Sequence, residues 1–242
     1  MVDRDRILEA LTQVRQDLLN ERNTAGHWEG ELASSALSTA TAISALSIVC
    51  RQRDRLHDVS TVDAEDERLG AAIDKGLRWL ACQQNQDGGW GDTDLSHSNI
   101  STTMLALAAF RLTGVPATSS QLVDQAEQFV ARQGGIRGLK RRYGRDKTFA
   151  VPILTNCALA GMIPWKKVSP LPFELAVFPQ SVYRFLRMPV VSYAIPALVA
   201  IGQARYHFRK PMNPLMRLIR SRAIQPSLEV LKLMQPQSGG FL

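Results

Sequence analysis

One pattern recurs along this chain and limits what it can fold into. It consists of a helical stretch with an aromatic or bulky apolar residue, a glutamine four positions on, a pair of glycines, and often an aromatic residue close behind. The fullest copy is Lys75-Gly76-Leu77-Arg78-Trp79-Leu80-Ala81-Cys82-Gln83, followed by Gln84-Asn85-Gln86-Asp87-Gly88-Gly89-Trp90. Phe129, Gln133, Gly134 and Gly135 repeat it, and a third copy runs through Leu231 and Gln235 to Gly239-Gly240-Phe241. Ala25-Gly26-His27-Trp28-Glu29-Gly30 reads as the turn of a fourth. Glycine lets the chain reverse in conformations other residues avoid, and an aromatic can then fold back against the helix it has left. A glutamine at the helix end, such as Gln83, can satisfy backbone groups that helices leave unpaired. Such repeats are the trace of stacked helix pairs, here with irregular spacing and long insertions.

The stretches between the turns agree. Ile7, Leu8, Leu11, Val14, Leu18 and Leu19 recur at helical spacing, so residues 3–21 are predicted to form an amphipathic helix that Asp3 could cap. Further helices are predicted over 32–51, 66–84, 101–113 with Gly114 as C-cap, and 120–133. No stretch alternates with period two between hairpin turns, which leaves an all-α fold. The expected organisation is an N-terminal helix at 1–24 and a helical repeat domain at 25–242. Cys50, Cys82 and Cys157 form neither a CxxC nor a Cys/His ligand spacing, so they read as small buried residues of a reducing compartment, with no metal site. The charged N-terminus runs into an amphipathic pattern and is not a secretory signal, which makes a cytosolic origin the default.

Charge is distributed unevenly. The chain carries a net +7, yet residues 165–242 hold 11 Lys and Arg against Glu174 and Glu229, which is +9, and the remainder is therefore −2. Such asymmetry points to an anionic surface, either nucleic acid or membrane. No recognition motif or aromatic–basic interleaving accompanies it, so nucleic acid is not expected as a partner. Residues 188–202 are free of charge but only 15 long, with Pro189 and Pro196, too short for a span of about 20 apolar residues. Arg184 and Arg187 precede them, and Arg205, His207, Arg209, Lys210, Arg217, Arg220 and Arg222 follow. One expectation is that the segment 171–222 attaches to a single membrane face, and the alternative is that 190–201 is a buried core helix. Arg137, Lys140, Arg141, Arg142, Arg145 and Lys147 read as a basic loop that could meet phosphate groups or simply face solvent.

The Lys75–Trp90 run resembles the QW motif of triterpene cyclases, above all the squalene–hopene cyclases. Phe129 with Gln133-Gly134-Gly135-Ile136, Pro164-Trp165-Lys166-Lys167-Val168 and Leu171-Pro172-Phe173-Glu174 follow in the order of the N-terminal region of bacterial members. The resemblance covers roughly residues 25–242. It implies an α/α-barrel, an α6–α6 toroid whose inner and outer helices are joined by QW turns, with this chain supplying an incomplete part of the two-barrel enzyme. It implies an isomerase that cyclises a polyprenoid such as squalene without a cofactor, on the cytoplasmic side of a membrane as a peripheral or monotopic protein. The family protonates an alkene from an Asp-x-Asp-Asp motif, which this sequence lacks. The chain is therefore expected to be inactive by itself and to need the remaining cyclase domain or subunit. It ends inside a repeat turn, which suggests a truncated product or one piece of a longer cyclase. Thr39 and Thr41 stand where hopene-forming members usually carry a glutamate pair, so the complete enzyme either handles another polyprenoid or dispenses with that acid.

By the motif, Lys75, Gly76, Trp79, Gln83, Gly89, Trp90, Phe129 and Gln133 are structural, and Trp28, Trp79 and Trp90 pack between helices. No catalytic residue is expected in this chain. Phe185, Met188 and Tyr193 match the segment that lines the substrate entrance, and they are the substrate-binding candidates, with plain core packing as the alternative. His27, His57, His97 and His207 share no ligand spacing. Pro226 is expected to start a helix. A reading of another class remains: a free-standing, non-catalytic module derived from the barrel that binds a polyprenoid, a partner chain or a membrane. A protein prenyltransferase subunit shares the barrel, but its zinc ligands are not placed together here.

Overall fold

Helix signals in the sequence become ten α-helices among the described residues of a computed structural model, which are 3–29, 33–56, 64–114, 119–144, 148–185 and 195–235. There are no strands among them, and the Trp90–Asn99 pairing is an isolated antiparallel bridge. By its contacts the chain divides into two compact units, Met1–Ser34 and Ser35–Leu242. The first contains α1 (Arg4–Asn20), whose N-cap Asp3 accepts from the Asp5 amide at 3.1 Å. None of the residues of α1 is buried.

The second unit is organised around α4 (Ile100–Thr113), a sequence apolar nearly all round, and a helix of that kind must be enclosed. Asn99 caps it by accepting from the Thr102 amide at 3.0 Å, and Gly114 closes it at a φ of +80°. Around α4 lie α2 (Ala36–Leu56), α3 (Ala64–Cys82), α5 (Ser120–Arg132), α6 (Gly135–Tyr143) and α7 (Ala150–Leu159). Phe110, Leu107, Met104 and Trp90 meet Leu80, Leu139, Leu154 and Ile43 there in one buried cluster.

A second, smaller cluster forms towards the C-terminus. A 3₁₀ turn at Phe173–Val177 packs on α9 (Ile195–Phe208) and α10 (Pro214–Met234), burying Phe173, Val199, Tyr206 and Ala223. The short α8 (Gln180–Phe185) is tied to that turn by the Tyr183 hydroxyl, which donates to the Leu175 carbonyl. Inside the cluster Arg220 pairs with Glu174 at 3.1 Å and lies over the Phe173 ring at 5.9 Å. Tyr206 donates to the Arg217 carbonyl at 2.9 Å, and Gln203 bridges the Ile224 carbonyl and the Ser227 hydroxyl of α10 at 3.0 and 2.8 Å.

Three expectations change. Arg137, Lys140, Arg141 and Arg142 are not in a loop but on α6, which forms because Ile136, Leu139 and Tyr143 share one apolar side that packs on the main core; Arg145 and Lys147 lie outside the described residues. Pro226 does not start a helix. Asn213 caps α10, accepting from the Leu215 amide at 2.9 Å with Pro214 in the first turn, and the helix continues through Pro226 where Gln203 braces it. Of the three cysteines only Cys157 is buried, and burial pushes its thiol up to about 12, while Cys82 is exposed and Cys50 half-buried.

Gly202 marks the closest approach in the smaller cluster. A Cβ built there would sit 2.8 Å from the Cβ of Phe173 and 3.0 Å from the Leu171 carbonyl oxygen. Gly202→Ala should therefore cost about 1–3 kcal/mol through overpacking, read as a lowered midpoint in thermal denaturation. An unchanged midpoint would mean that α9 does not press on Phe173 this closely.

Candidate functional site

The repeat turn after α3 is the most fully built local structure in the chain. Asn85 donates its amide to the Gly89 carbonyl and accepts from the Gly88 amide, both at 2.9 Å, which closes a tight reversal. Gly88 has a φ of +85°, and a Cβ there would meet the Gln125 carbonyl oxygen at 2.8 Å, so the position needs glycine twice over. Asp87 accepts from the Gly89 amide at 3.0 Å and from the Ser98 hydroxyl at 2.6 Å. The chain then returns over α3, leaving Trp90 0% exposed, and its indole N–H donates to the Leu80 carbonyl at 2.8 Å. That carbonyl is one of the last of α3, and the helix itself leaves such groups short of partners. The Trp90 amide donates to Thr103 Oγ1 at 3.0 Å, which joins the returning chain to α4.

The glutamine that serves this turn is Gln84, one residue beyond the expected Gln83. Gln84 Nε2 donates to the carbonyls of Gly88 and of Leu122 on α5, each at 2.9 Å. Gln83 takes part through its backbone, donating to the Trp79 and Leu80 carbonyls. Counting from the first aromatic selected Gln83, and only the geometry of the turn separates the two neighbours. Lys75 is exposed, Gly76 faces Ile43 of α2, Trp79 is half-buried beside the main core, and Gly89 is buried against Ser98.

The first unit contains the same device. Trp28 Nε1 donates to the Leu18 carbonyl at 2.5 Å, and both tryptophans reach back ten residues. Asn23 donates to the His27 carbonyl at 2.9 Å and accepts from the Gly26 amide at 3.0 Å, with Gly26 at a φ of +87°. Arg22 takes the part of Gln84, donating Nε to the Gly26 carbonyl at 2.7 Å, and its guanidinium lies 5.6 Å over the Trp28 ring. Trp28 is 47% exposed, so this copy keeps the bonds without the burial. In the copy at Phe129, the aromatic is buried and Gln133 caps α5 through its amide, but α6 starts at once and no aromatic returns. Beyond Gln235 the third copy lies outside the described residues.

Of the substrate-binding candidates, Phe185 ends α8 with 87% of its surface exposed, and Met188 and Tyr193 lie outside the described residues. An apolar cleft of about 300 Å³ lies between α9 and α10, lined by Gln203, Tyr206, His207, Lys210, Ser221 and Ile224 and by none of these candidates. The acidic groups best placed by the fold are occupied as acceptors. Asp92 takes Asn99 Nδ2 at 2.8 Å and the Thr102 hydroxyl, and Glu174 takes Arg220. Among the described residues no three His, Cys, Asp or Glu side chains converge as a metal site would require.

A family model for the squalene–hopene cyclase N-terminal domain matches residues 11–220. The squalene–hopene cyclase of Alicyclobacillus acidocaldarius is 26% identical over 219 residues, covering 89% of this chain and 29% of that protein. The squalene hopane cyclase of Aspergillus fumigatus is 28% identical over 195 residues, 78% of this chain and 22% of its own length. Enfumafungin synthase of Hormonema carpetanum is 34% identical over 133 residues, 54% of this chain and 9% of its own. This chain thus spans less than a third of each of these relatives.

Substitutions at the turn should separate the roles of its residues. Trp90→Ala should destabilise the fold by about 3–5 kcal/mol, as truncation of a buried aromatic does. Trp90→Phe, which keeps a ring but leaves the buried Leu80 carbonyl only the Gln83 amide as donor, should cost about 0.5–1.5 kcal/mol. Gln84→Ala should cost about 1–2 kcal/mol, whereas Gln83→Ala should stay within about 0.5 kcal/mol. Urea denaturation of the four variants measures this, and equal losses at Gln83 and Gln84 would reject the assignment.

Proposed function

The chain belongs to the squalene–hopene cyclase family through that family's N-terminal domain, and from this premise we propose that it acts as the N-terminal segment of a class II triterpene cyclase. The observation that carries the reading is the family match over 11–220, joined to an all-helical fold. In this reading the Trp90 and Trp28 turns are QW turns that fasten helix pairs of an α/α-barrel. The substrate is a polyprenoid such as squalene. Phe185, Met188 and Tyr193 would contribute to its wall, and an acid outside this sequence would protonate it. No Asp-x-Asp-Asp occurs among the 242 residues, so the isolated chain would hold the polyene's surroundings but not start the reaction.

Two assays test this. The chain alone, folded and in detergent micelles, should give no cyclised product from squalene above a no-protein blank. A chimera in which residues 25–242 replace the matching segment of the Alicyclobacillus enzyme should cyclise squalene. Product from the chain alone would overturn the assignment of the acid to another segment, and a folded but inactive chimera would overturn the cyclase role.

The same reading has the chain meet one face of a membrane. Met212, Leu215, Leu218 and Ile219 are exposed at helical spacing on and just before the start of α10, interleaved with Arg209, Lys210, Arg217 and Arg222. Apolar residues at the headgroup boundary with basic ones beside anionic lipid favour binding in the interface plane. No helix among the described residues is long and apolar enough to cross a membrane. Arg205 belongs to the fold and not to this face, since it donates to the Val168 and Arg209 carbonyls at 3.0 and 2.6 Å. Liposome flotation should show binding to anionic vesicles that weakens with salt and with Arg209, Lys210 and Arg222 changed together to Glu. Absence of binding at low salt by a folded sample would reject the membrane face.

A further inference from the structure

The basic stretch that the cyclase reading leaves unused turns out to be built around a cavity. Arg132 ends α5, and Arg141 and Arg142 stand on α6; together with Ser98 and Gln133 they line a pocket of about 420 Å³. Every side chain with a full charge in that lining is an arginine. Among the described residues none of the three has an acidic partner at ion-pair distance. Arg137 and Lys140 on the same helix add two more cations without such a partner.

The carboxylates that border the lining, Asp87 through Ser98 and Asp92 through Asn99, are turned to other work. Asp87 spends one carboxylate oxygen on the Gly89 amide and the Ser98 hydroxyl. Its backbone carbonyl takes Arg132 Nη2 at 2.7 Å, and this orients the guanidinium while leaving its other N–H groups for a ligand. Like charges held about one cavity repel, and a bound anion would reverse the sign of that term. Guanidinium groups present N–H pairs that match a phosphate's oxygens two at a time, which a lysine ammonium does not. A phosphate monoester carries about −1.5 to −2 charge at pH 7 and three acceptor oxygens, enough to satisfy three arginines at once, unlike a carboxylate with two oxygens and one charge. Gly134 before α6 offers no capping side chain, so the amides of the first turn add to the same field.

We propose that the cavity between the end of α5 and α6 binds a phosphate group through Arg132, Arg141 and Arg142, the group being carried by a small phosphorylated molecule or by a lipid headgroup. This site stands apart from the cyclase reading and can be measured without turnover. Calorimetric titration of the full chain with inorganic diphosphate, against sodium chloride at equal ionic strength, should show saturable binding. Arg141→Gln with Arg142→Gln should weaken it at least tenfold while leaving the melting temperature in place. Arg137→Gln with Lys140→Gln removes the same charge from the same helix away from the cavity lining, and it should weaken binding less than threefold. Arg142→Gln alone, at an exposed position, should weaken binding at least threefold and serves if the double variant does not fold.

Flotation with phosphatidylcholine vesicles, with and without phosphatidic acid, separates the two sources. Saturable diphosphate binding without retention by phosphatidic acid vesicles assigns a soluble ligand, and retention by phosphatidic acid vesicles without diphosphate binding assigns the headgroup. Both results support the site when they depend on Arg141 and Arg142. Absence of saturable binding in both arms, or equal losses in the two double variants, overturns it by showing only diffuse charge.

Discussion

The hydrogen bond from the Trp90 indole to the Leu80 carbonyl is the constraint on which the rest of the second unit depends. A helix end must find partners for its last carbonyls, and buried ends cannot take them from water. Here the partner comes from ten residues further along the chain, so the turn between cannot vary freely in length or direction. The same tryptophan delivers the largest fully buried side chain among the described residues into the space between α3 and α4. Its ring tilts against Phe110 at 6.2 Å between centroids. One residue thus satisfies the backbone, fills the core and fixes the register of the next helix through Thr103.

Beyond this turn the stabilising logic changes from backbone satisfaction to close approach. In the smaller cluster a glycine on α9 lets Phe173 press against the helix, and Phe173 in turn supports Arg220 from its ring face. The Arg220–Glu174 pair sits in that setting with most of each side chain withdrawn from water. Desolvation of two charges consumes much of what their attraction gives. Moreover, Glu174 Oε2 is buried without a hydrogen-bond partner. The pair therefore contributes more to fixing which faces of α10 and the Phe173–Val177 turn meet than to net stability, and it is a poor site for either single substitution.

How much of this was legible in the sequence follows from the range of each interaction. Helix positions came out well because capping and periodicity are local: Asp3 and Gly114 act on residues within a turn of themselves. The turn at Trp90 was legible as a packing element for the same reason, with its glycine and its aromatic spaced in one short string. What failed depended on tertiary partners. Gln83 and Gln84 are alike in sequence, and the choice is made by the Leu122 carbonyl on α5, far along the chain. Pro226 starts helices by propensity, yet it sits inside α10, where a glutamine from α9 also holds the Ile224 carbonyl. The Arg137–Arg142 stretch looked like a loop because its charges outnumber its apolar residues, although Ile136, Leu139 and Tyr143 suffice once a core is present to receive them. The substrate wall stayed beyond reach, since Phe185 is exposed in this chain and its two companions lie outside the described residues.

These environments bear on what the chain can contribute chemically. A group that protonates an alkene must present a carboxylic acid proton to an apolar substrate, with its other surroundings arranged to raise its acidity. The carboxylates most engaged by the fold face the opposite way: Asp87 and Asp92 accept hydrogen bonds that shape the turn, and Glu174 accepts from an arginine. Moving any of them towards a substrate would unmake the structure that positions it. The cations are arranged differently, since Arg132, Arg141 and Arg142 line one cavity with no acidic partner at ion-pair distance among the described residues. Within the described residues, then, Asp87, Asp92 and Glu174 act as acceptors that hold turns and helices in place, while Arg132, Arg141 and Arg142 keep donor groups that no acid takes.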